Sequence, residues 1–202
     1  NINKEFDLKV NYWMNLSLEK DIEKGEAHET LVLSHFLHDM RLYKSKAEIS
    51  EMRKAAKIAG NAHKNAMKKV RPNIYEYELE AEFIYVFKKF NAEYSYNPIV
   101  GGGLNACVLH YTENNSLLND GDLVLIDAGC ELNYYASDIT RTFPVNGKFT
   151  TEQLEIYNIV LEAQKAAIEK VIKGNHFNDP HDAAVRIITR GLKDIGLLEG
   201  GL

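Results

Sequence analysis

Two aspartates, Asp127 and Asp138, lie eleven residues apart in the most apolar, strand-like stretch of this 202-residue chain. Residues 122–128 are a run of branched apolar side chains, the pattern of a strand covered on both faces, so a carboxylate at its end meets little water. Such a carboxylate must be paired with a cation, protonated or bound to a metal. The pair is therefore one candidate for metal binding. The alternative is that Asp127 caps a turn at Gly129 while Asp138 pairs with a basic side chain.

The two aspartates would face each other if residues 122–128 and 134–145 formed an antiparallel hairpin with Leu132 and Asn133 as its loop. Opposed Cβ atoms then lie roughly 4.5–5.5 Å apart, where two negative charges repel. A divalent cation, or two cations about 3.5–4 Å apart that share a bridging carboxylate, would remove the repulsion. In the extended second strand, Thr140 would share a face with Asp138.

His110 is a third candidate, because it ends the apolar run 106–110 just before the loop that leads to Asp127. A histidine there can hydrogen-bond a bound peptide carbonyl or stabilise a charge that develops near a metal. The alternative is an ordinary histidine at the end of a strand. The triplet Gly101-Gly-Gly103 is interpreted as a flexible turn between strands, since neither a Lys-Ser or Lys-Thr pair nor a helix follows it.

The elements that must position these residues follow from periodicity and capping. Capping boxes predict helices that begin after Ser45, near Asn73 with Glu76, and after Thr150, and a fourth helix is predicted over 180–195. Strands are predicted over 94–100, 106–110 and the two arms of the hairpin. This order predicts an α+β fold with antiparallel strands and helices packed on one face.

Composition excludes several classes of protein. The chain is 45% hydrophobic with a net charge of -5, so it can bury a core, and no basic stripe indicates a nucleic-acid partner. No run reaches the roughly 18 apolar residues of a membrane span, and no signal peptide opens the chain. Cys107 and Cys130 are expected to be reduced thiols in the cytoplasm. The chain is expected to be a piece of a longer protein, since it opens at Asn1 without a methionine.

Three segments resemble the bacterial Xaa-Pro aminopeptidases, also called aminopeptidase P. They read YNPIVGGGLNACVLHYTEN at 96–114, GDLVLIDAGCE at 121–131 and SDITRTFPVNGKF at 137–149. The stretch MRLYKSKAEI at 40–49 and the pair Ala62-His63 are similar to the same family. The resemblance runs from about residue 36 to the end.

The resemblance implies the pita-bread metallopeptidase fold, in which two antiparallel hairpin halves surround two divalent metal ions, usually Mn²⁺. Residues 1–40 would be the end of an N-terminal domain with a linker, and 41–202 the first half of the catalytic domain. Asp127 would be a terminal metal ligand and Asp138 a bridging one. His110 would be catalytic and contact substrate, Tyr96 would line the substrate site, and Thr140 would orient a ligand carboxylate.

The implied activity is release of the first residue from peptides whose second residue is proline. The expected location is the cytoplasm, and family members are commonly dimers or tetramers. The family takes three further metal ligands and another catalytic histidine from its second half, so this chain alone is predicted to be inactive. Two alternatives stay open. One is a non-catalytic module that binds peptides or partners, and the other is a prolidase that acts on Xaa-Pro dipeptides.

Overall fold

The computed structural model describes residues 4–24 and 33–200. The chain divides into two compact units, residues 1–49 and 50–202. The first unit contains α1 (Lys4–Lys24) and α2 (Leu33–Leu42), two helices that the sequence analysis did not predict. No helix in the described ranges combines the length and apolarity of a membrane span.

Helix α3 (Lys46–Lys69) begins as its capping box predicts. The Ser45 N–H donates to Glu48 Oε2 at 2.6 Å, and the Glu48 N–H donates to Ser45 Oγ at 3.3 Å. Its buried face consists mainly of small side chains, which allow close packing against neighbouring elements. These residues are Ala55, Ile58, Ala59, Ala62, His63 and Ala66.

Helix α4 (Glu76–Lys89) begins three residues later than predicted. The Tyr75 N–H donates to Glu78 Oε1 at 2.8 Å, so Glu78 does the capping that the sequence analysis gave to Glu76. Glu76 is fully buried instead. The apolar residues Leu79, Phe83 and Phe87 are also buried, and burial stabilises the fold by about 1.5–3 kcal/mol for each such side chain.

In the described part of the chain, six short strands form two antiparallel sheets, with orders β1-β4-β5 and β2-β3-β6. The first sheet contains β1 (Glu93–Tyr94), β4 (Cys130–Leu132) and β5 (Tyr135–Ala136), and the second contains β2 (Ile99–Gly102), β3 (Leu123–Asp127) and β6 (Thr140–Pro144). The chain therefore changes sheets between β3 and β4 and returns between β5 and β6. Each arm of the predicted hairpin is divided in this way.

The predicted register of the hairpin is wrong. Leu132 pairs with Tyr135, so the turn residues are Asn133 and Tyr134, and Asp127 pairs with Thr140 rather than with Asp138. Both turn residues have positive φ, 50° and 68°, as a two-residue type I′ turn requires. An asparagine at its first position tolerates this backbone, which places the turn one residue further along the chain.

The segment after β2 also differs from the prediction. Gly103–Cys107 is a short 3-10 helix, and residues 106–110 do not form a strand. Gly101 and Gly102 lie within β2 rather than in a flexible turn. A Cβ on Gly101 would come within 2.9 Å of the Ala106 nitrogen, so glycine is needed here for close backbone packing.

The core lies between the β2-β3-β6 sheet and the helices α3 and α4, where Val124 and Ile126 are fully buried. The opposite face of β3 presents Leu123 and Leu125 to an apolar groove of about 700 Å³, bordered by α5 (Thr151–Glu169). The capping box predicted at Thr150 and Gln153 begins α5. Helix α6 (Asp179–Asp194) packs against α5 and completes an αα-hairpin.

Candidate metal and peptide site

Four of the five residues that the sequence analysis selected line a single cavity of about 360 Å³. They are Tyr96, His110, Asp127 and Asp138. The remaining lining residues are Asn97, Ile99 and Thr112, which the sequence analysis did not select. These three could have been found only as neighbours of Tyr96 and His110, because none of them is a side chain that usually carries chemistry.

Tyr96 joins the two carboxylates. Its hydroxyl donates a hydrogen bond to Asp127 Oδ1 and lies 2.9 Å from Asp138 Oδ1. Burial and the hydrogen bond to Asp127 raise the pKa of Tyr96 far above its usual value, so the phenol keeps its proton at neutral pH. The single phenolic O–H cannot donate a full hydrogen bond to both carboxylates at once, so a further proton or a cation is needed between them.

Asp127 and Asp138 come together through the change of sheets rather than through strand pairing. Asp127 ends β3, and Asp138 lies between β5 and β6. The Ala128 N–H donates to the Ile139 carbonyl at 3.1 Å, and Ser95 Oγ donates to the Ser137 carbonyl at 2.7 Å. These bonds hold the backbone on both sides of Asp138 close to the end of β3.

Gly129 makes this close approach possible. A Cβ on Gly129 would lie only 2.5 Å from the carbonyl carbon of Ser137 and 2.7 Å from Ser95 Oγ. The first of these atoms belongs to the backbone, which cannot move aside as a flexible side chain could. The backbone therefore excludes any larger residue between the two aspartates.

Thr140 does not line the cavity. It lies directly across the β3-β6 ladder from Asp127, on the sheet face that borders the apolar groove. Opposed Cβ atoms in antiparallel strands are roughly 4.5–5.5 Å apart, so Thr140 is within reach of the Asp127 carboxylate.

His63 contacts the backbone next to Asp127 and was not predicted as a site residue. It is 3% exposed, and its Nε2 lies 3.2 Å from the carbonyl oxygen of Ala128, the residue after Asp127. Its ring packs edge-on against Phe83 with centroids 4.9 Å apart. Burial lowers the pKa of His63, which favours the neutral imidazole with an N–H donor on Nε2. The pair Ala62-His63 was visible in the sequence, but only as part of a resemblance.

The donors present fit a hard divalent cation, since such ions prefer carboxylate oxygens. Both Oδ1 atoms accept a hydrogen bond from the Tyr96 hydroxyl, so the two carboxylates point toward a common position in the cavity. Within residues 4–24 and 33–200, however, no group of three or more His, Cys, Asp or Glu side chains is arranged to hold a metal. The described residues therefore offer two carboxylates here that suit a divalent cation, and any other coordination positions would fall to water or to other groups.

Comparison with known proteins identifies the fold and family. The model of metallopeptidase family M24 matches residues 50–199, which is most of the chain and includes all five predicted site residues. The chain belongs to this family. A metallopeptidase family agrees with the expectation of a divalent metal.

Two curated M24 relatives are named Xaa-Pro aminopeptidase. The protein from Haemophilus influenzae is 55% identical over 165 residues, which cover 81% of this chain and 38% of the relative. The protein from Escherichia coli is 52% identical over 165 residues, which cover 81% of this chain and 37% of the relative. The chain thus spans less than two-fifths of the length of these relatives.

Solved structures confirm the predicted pita-bread fold. The aminopeptidase PepP of Pseudomonas aeruginosa superposes with a TM-score of 0.86 and 50% sequence identity, covering 98% of this chain and 46% of that one. A zinc-substituted aminopeptidase P of Escherichia coli in complex with product gives a TM-score of 0.84 and 46% identity, covering 96% of this chain and 45% of that one. These M24 structures are about twice as long as the present chain.

Proposed function

We propose that this chain is part of a metal-dependent aminopeptidase that releases the first residue from peptides with proline in second position. The observation that carries the proposal is the cavity in which Tyr96, His110 and both aspartates meet. The names of the two curated relatives support the substrate class.

In this proposal Asp127 and Asp138 would hold two divalent cations, with Mn²⁺ as the physiological metal. When bound, the cations supply an activated water and polarise the scissile carbonyl. The Tyr96 hydroxyl fixes the orientation of the carboxylates before the metals arrive. Thr140 orients Asp127 from across the ladder.

His110 is the catalytic residue of this chain. It is exposed at the rim of the cavity, where its imidazole N–H can donate to the oxygen of the substrate carbonyl as negative charge develops. Because proline has no backbone N–H, the residue after the cleaved bond must be recognised through the shape of its ring. Tyr96 forms one wall of the peptide site.

The wider organisation follows from the same assignment. Residues 1–40 belong to an N-terminal domain and its linker, and 41–202 form the first half of the catalytic domain. The unpaired thiols of Cys107 and Cys130 suit a reducing compartment such as the cytoplasm. A dimer or tetramer is the expected assembly, which light scattering after size-exclusion chromatography would measure.

The experiment uses the chain extended to the length of its relatives and compares an Xaa-Pro tripeptide, an Xaa-Pro dipeptide and a tripeptide without proline. With Mn²⁺, we expect release of the first residue from the Xaa-Pro tripeptide only, and loss of activity in a chelator. His110→Ala should lower kcat by about 10²–10³-fold, as for loss of one donor to a developing oxyanion.

Asp127→Asn and Asp138→Asn should lose both bound metal and activity. Asp120→Asn is the matched control, because Asp120 is exposed and its carboxylate accepts a hydrogen bond from Asn146 away from the cavity. Preference for the dipeptide would identify a prolidase instead. Metal-independent peptide binding without cleavage would support a non-catalytic module and overturn the proposal.

A further inference from the structure

Glu76 is a fully buried carboxylate outside the cavity. Four donors surround it. Oε1 accepts from the Gly102 N–H at 2.8 Å and from Asn105 Nδ2 at 3.1 Å, and Oε2 accepts from the Tyr111 hydroxyl at 2.8 Å and the Ser116 N–H at 2.9 Å.

These four donors are all uncharged. A buried carboxylate is costly unless it is paired or well hydrogen-bonded, and two donors on each oxygen meet that requirement without a cation. Glu76 is also the first residue of α4, where the helix dipole favours a negative charge. The surroundings of Glu76 therefore match a side chain with two acceptor oxygens. A glutamine at this position would instead turn its N–H₂ group toward two of the existing donors.

All four donors belong to one segment, residues 102–116. Gly102 and Ser116 lie at its ends, and Asn105 and Tyr111 lie between them. Asn105 Nδ2 also lies 3.1 Å from the Tyr111 hydroxyl, which links the two inner points to each other. The Glu76 side chain thus links four points of this segment to the start of α4, and a backbone hydrogen bond from the Glu76 N–H to the Ser116 carbonyl at 3.0 Å holds the far end as well.

His110 lies inside this segment and directly precedes Tyr111. Its φ is +55°, a left-handed conformation that is uncommon for non-glycine residues and is usually stabilised by local contacts, although histidine adopts it more often than most. Its side chain is exposed, so packing around the imidazole does not impose that conformation. The residue that follows His110 is constrained instead, because the Tyr111 hydroxyl donates to Glu76 Oε2.

We propose that Glu76 is a positioning residue for His110, and that its carboxylate holds the 102–116 loop so that the imidazole faces the cavity beside Asp127 and Asp138. The catalytic part of this inference rests on the proposed function. The structural part, the ordering of His110 by Glu76, stands independently of any activity.

The first test measures the loop itself, by amide hydrogen exchange and by NMR of the His110 ring in Glu76→Gln. We expect exchange at Gly102 and Ser116 to accelerate by about 10–100-fold, the factor for loss of one charge-assisted hydrogen bond, while β3 and α3 exchange as in the wild type. The His110 ring should change from one narrow set of signals to broadened or multiple signals.

Glu78→Gln is the matched control, since it removes one charge from the same helical turn while glutamine preserves the capping box. Tyr111→Phe removes one donor and keeps the carboxylate, and it gives a milder second variant if Glu76→Gln does not fold. Unchanged exchange and an unchanged His110 ring in a folded variant would overturn the proposal.

The second test is a double-mutant cycle in the chain extended to the length of its relatives. Glu76→Gln should lower kcat by about 10–100-fold with little change in KM or metal content, and should change kcat by less than about threefold once His110 is alanine. An equal loss in both backgrounds would show that Glu76 acts only on stability and would refute the positioning role. If the wild type cleaves no peptide, the proposed function fails, and the exchange and ring measurements still decide whether Glu76 orders His110.

Discussion

At the scale of single residues, the cavity brings the carboxylates of Asp127 and Asp138 close together around the phenol of Tyr96. Tyr96 is hydrogen-bonded to both aspartates, and its raised pKa keeps it a donor. A cation between the two carboxylates would relieve their mutual repulsion and would occupy the acceptor positions that the single Tyr96 hydroxyl leaves open. The arrangement therefore favours metal binding over the alternative of a turn cap and an ion pair.

His63 gives a prediction for the pH dependence of stability. Burial lowers the pKa of its imidazole in the folded chain, so the unfolded chain binds more protons below the usual histidine value of about 6.5. The contribution of the neutral His63 imidazole to the free energy of unfolding is complete above that pH. It is lost as the pH falls through and below that value, and the free energy of unfolding then decreases by at most about 1.4 kcal/mol per pH unit. Urea unfolding in a chelating buffer between pH 7.5 and 5 should show this loss.

His63→Gln provides the comparison, because an amide can donate to the Ala128 carbonyl but does not titrate. The difference in unfolding free energy between wild type and variant should shrink as pH falls. A difference that stays constant over this range would contradict the assigned burial effect.

Residue type allowed part of the site to be predicted. The aspartates and His110 carry recognisable chemistry, and the structure brings them to one cavity with Tyr96. Glu76 was missed because Asn73 and Glu76 have the spacing of a capping box, as Tyr75 and Glu78 do, and only contacts from residues 102–116 decide between them. A tertiary contact of this kind leaves no local pattern in the sequence.

At the scale of secondary-structure elements, the sharp change of sheets at Gly129 should be the least tolerant point of the site. Gly129→Ala would place a Cβ 2.5 Å from the Ser137 carbonyl carbon. Forced backbone movement of this kind costs about 1–3 kcal/mol. Chemical denaturation should report that loss, together with weaker metal binding as Asp138 moves away from Asp127.

Gly60→Ala is the control for this prediction. Gly60 lies within α3, and a Cβ there meets nothing within 4 Å. Alanine should therefore stabilise the helix by about 0.5–1 kcal/mol. A Gly129→Ala variant as stable as the wild type would show that the backbone at Ser137 can yield.

The elements themselves were predicted unevenly for physical reasons. Helices α3 and α5 carry capping boxes and begin as predicted. The register of the strands depends on a turn whose second residue, Tyr134, adopts a positive φ that tyrosine rarely takes. Residue type therefore favoured Leu132 and Asn133 as the turn residues instead. The glycines of β2 were interpreted as flexible, whereas Gly101 is required by its contact with the 3-10 helix and Gly102 by its contact with the Leu118 side chain.

At the scale of the whole molecule, two features of the described residues lie open to further groups. The carboxylate pair lacks enough partners for full metal coordination, and Leu123 and Leu125 face an apolar groove of about 700 Å³. Asp127, Leu125 and Leu123 share one face of β3, because alternate residues of a strand point to one side. The sequence suggested that β3 is covered on both faces, and in this chain only the face of Val124 and Ile126 is fully buried.

The 202-residue chain alone should therefore bind Mn²⁺ weakly and cleave no Xaa-Pro peptide. Two carboxylates leave most of the coordination shell to water, and sites with so few protein ligands bind divalent ions with a Kd of about 1 mM or weaker. Isothermal titration with Mn²⁺ should show this weak binding, and Asp127→Asn should abolish it while Asp120→Asn does not. The same preparation should release no first residue from an Xaa-Pro tripeptide, whereas the chain extended to the length of its relatives should do so. Cleavage by the short chain at a rate that depends on Asp127 would show that two carboxylates, Tyr96 and His110 suffice for the reaction.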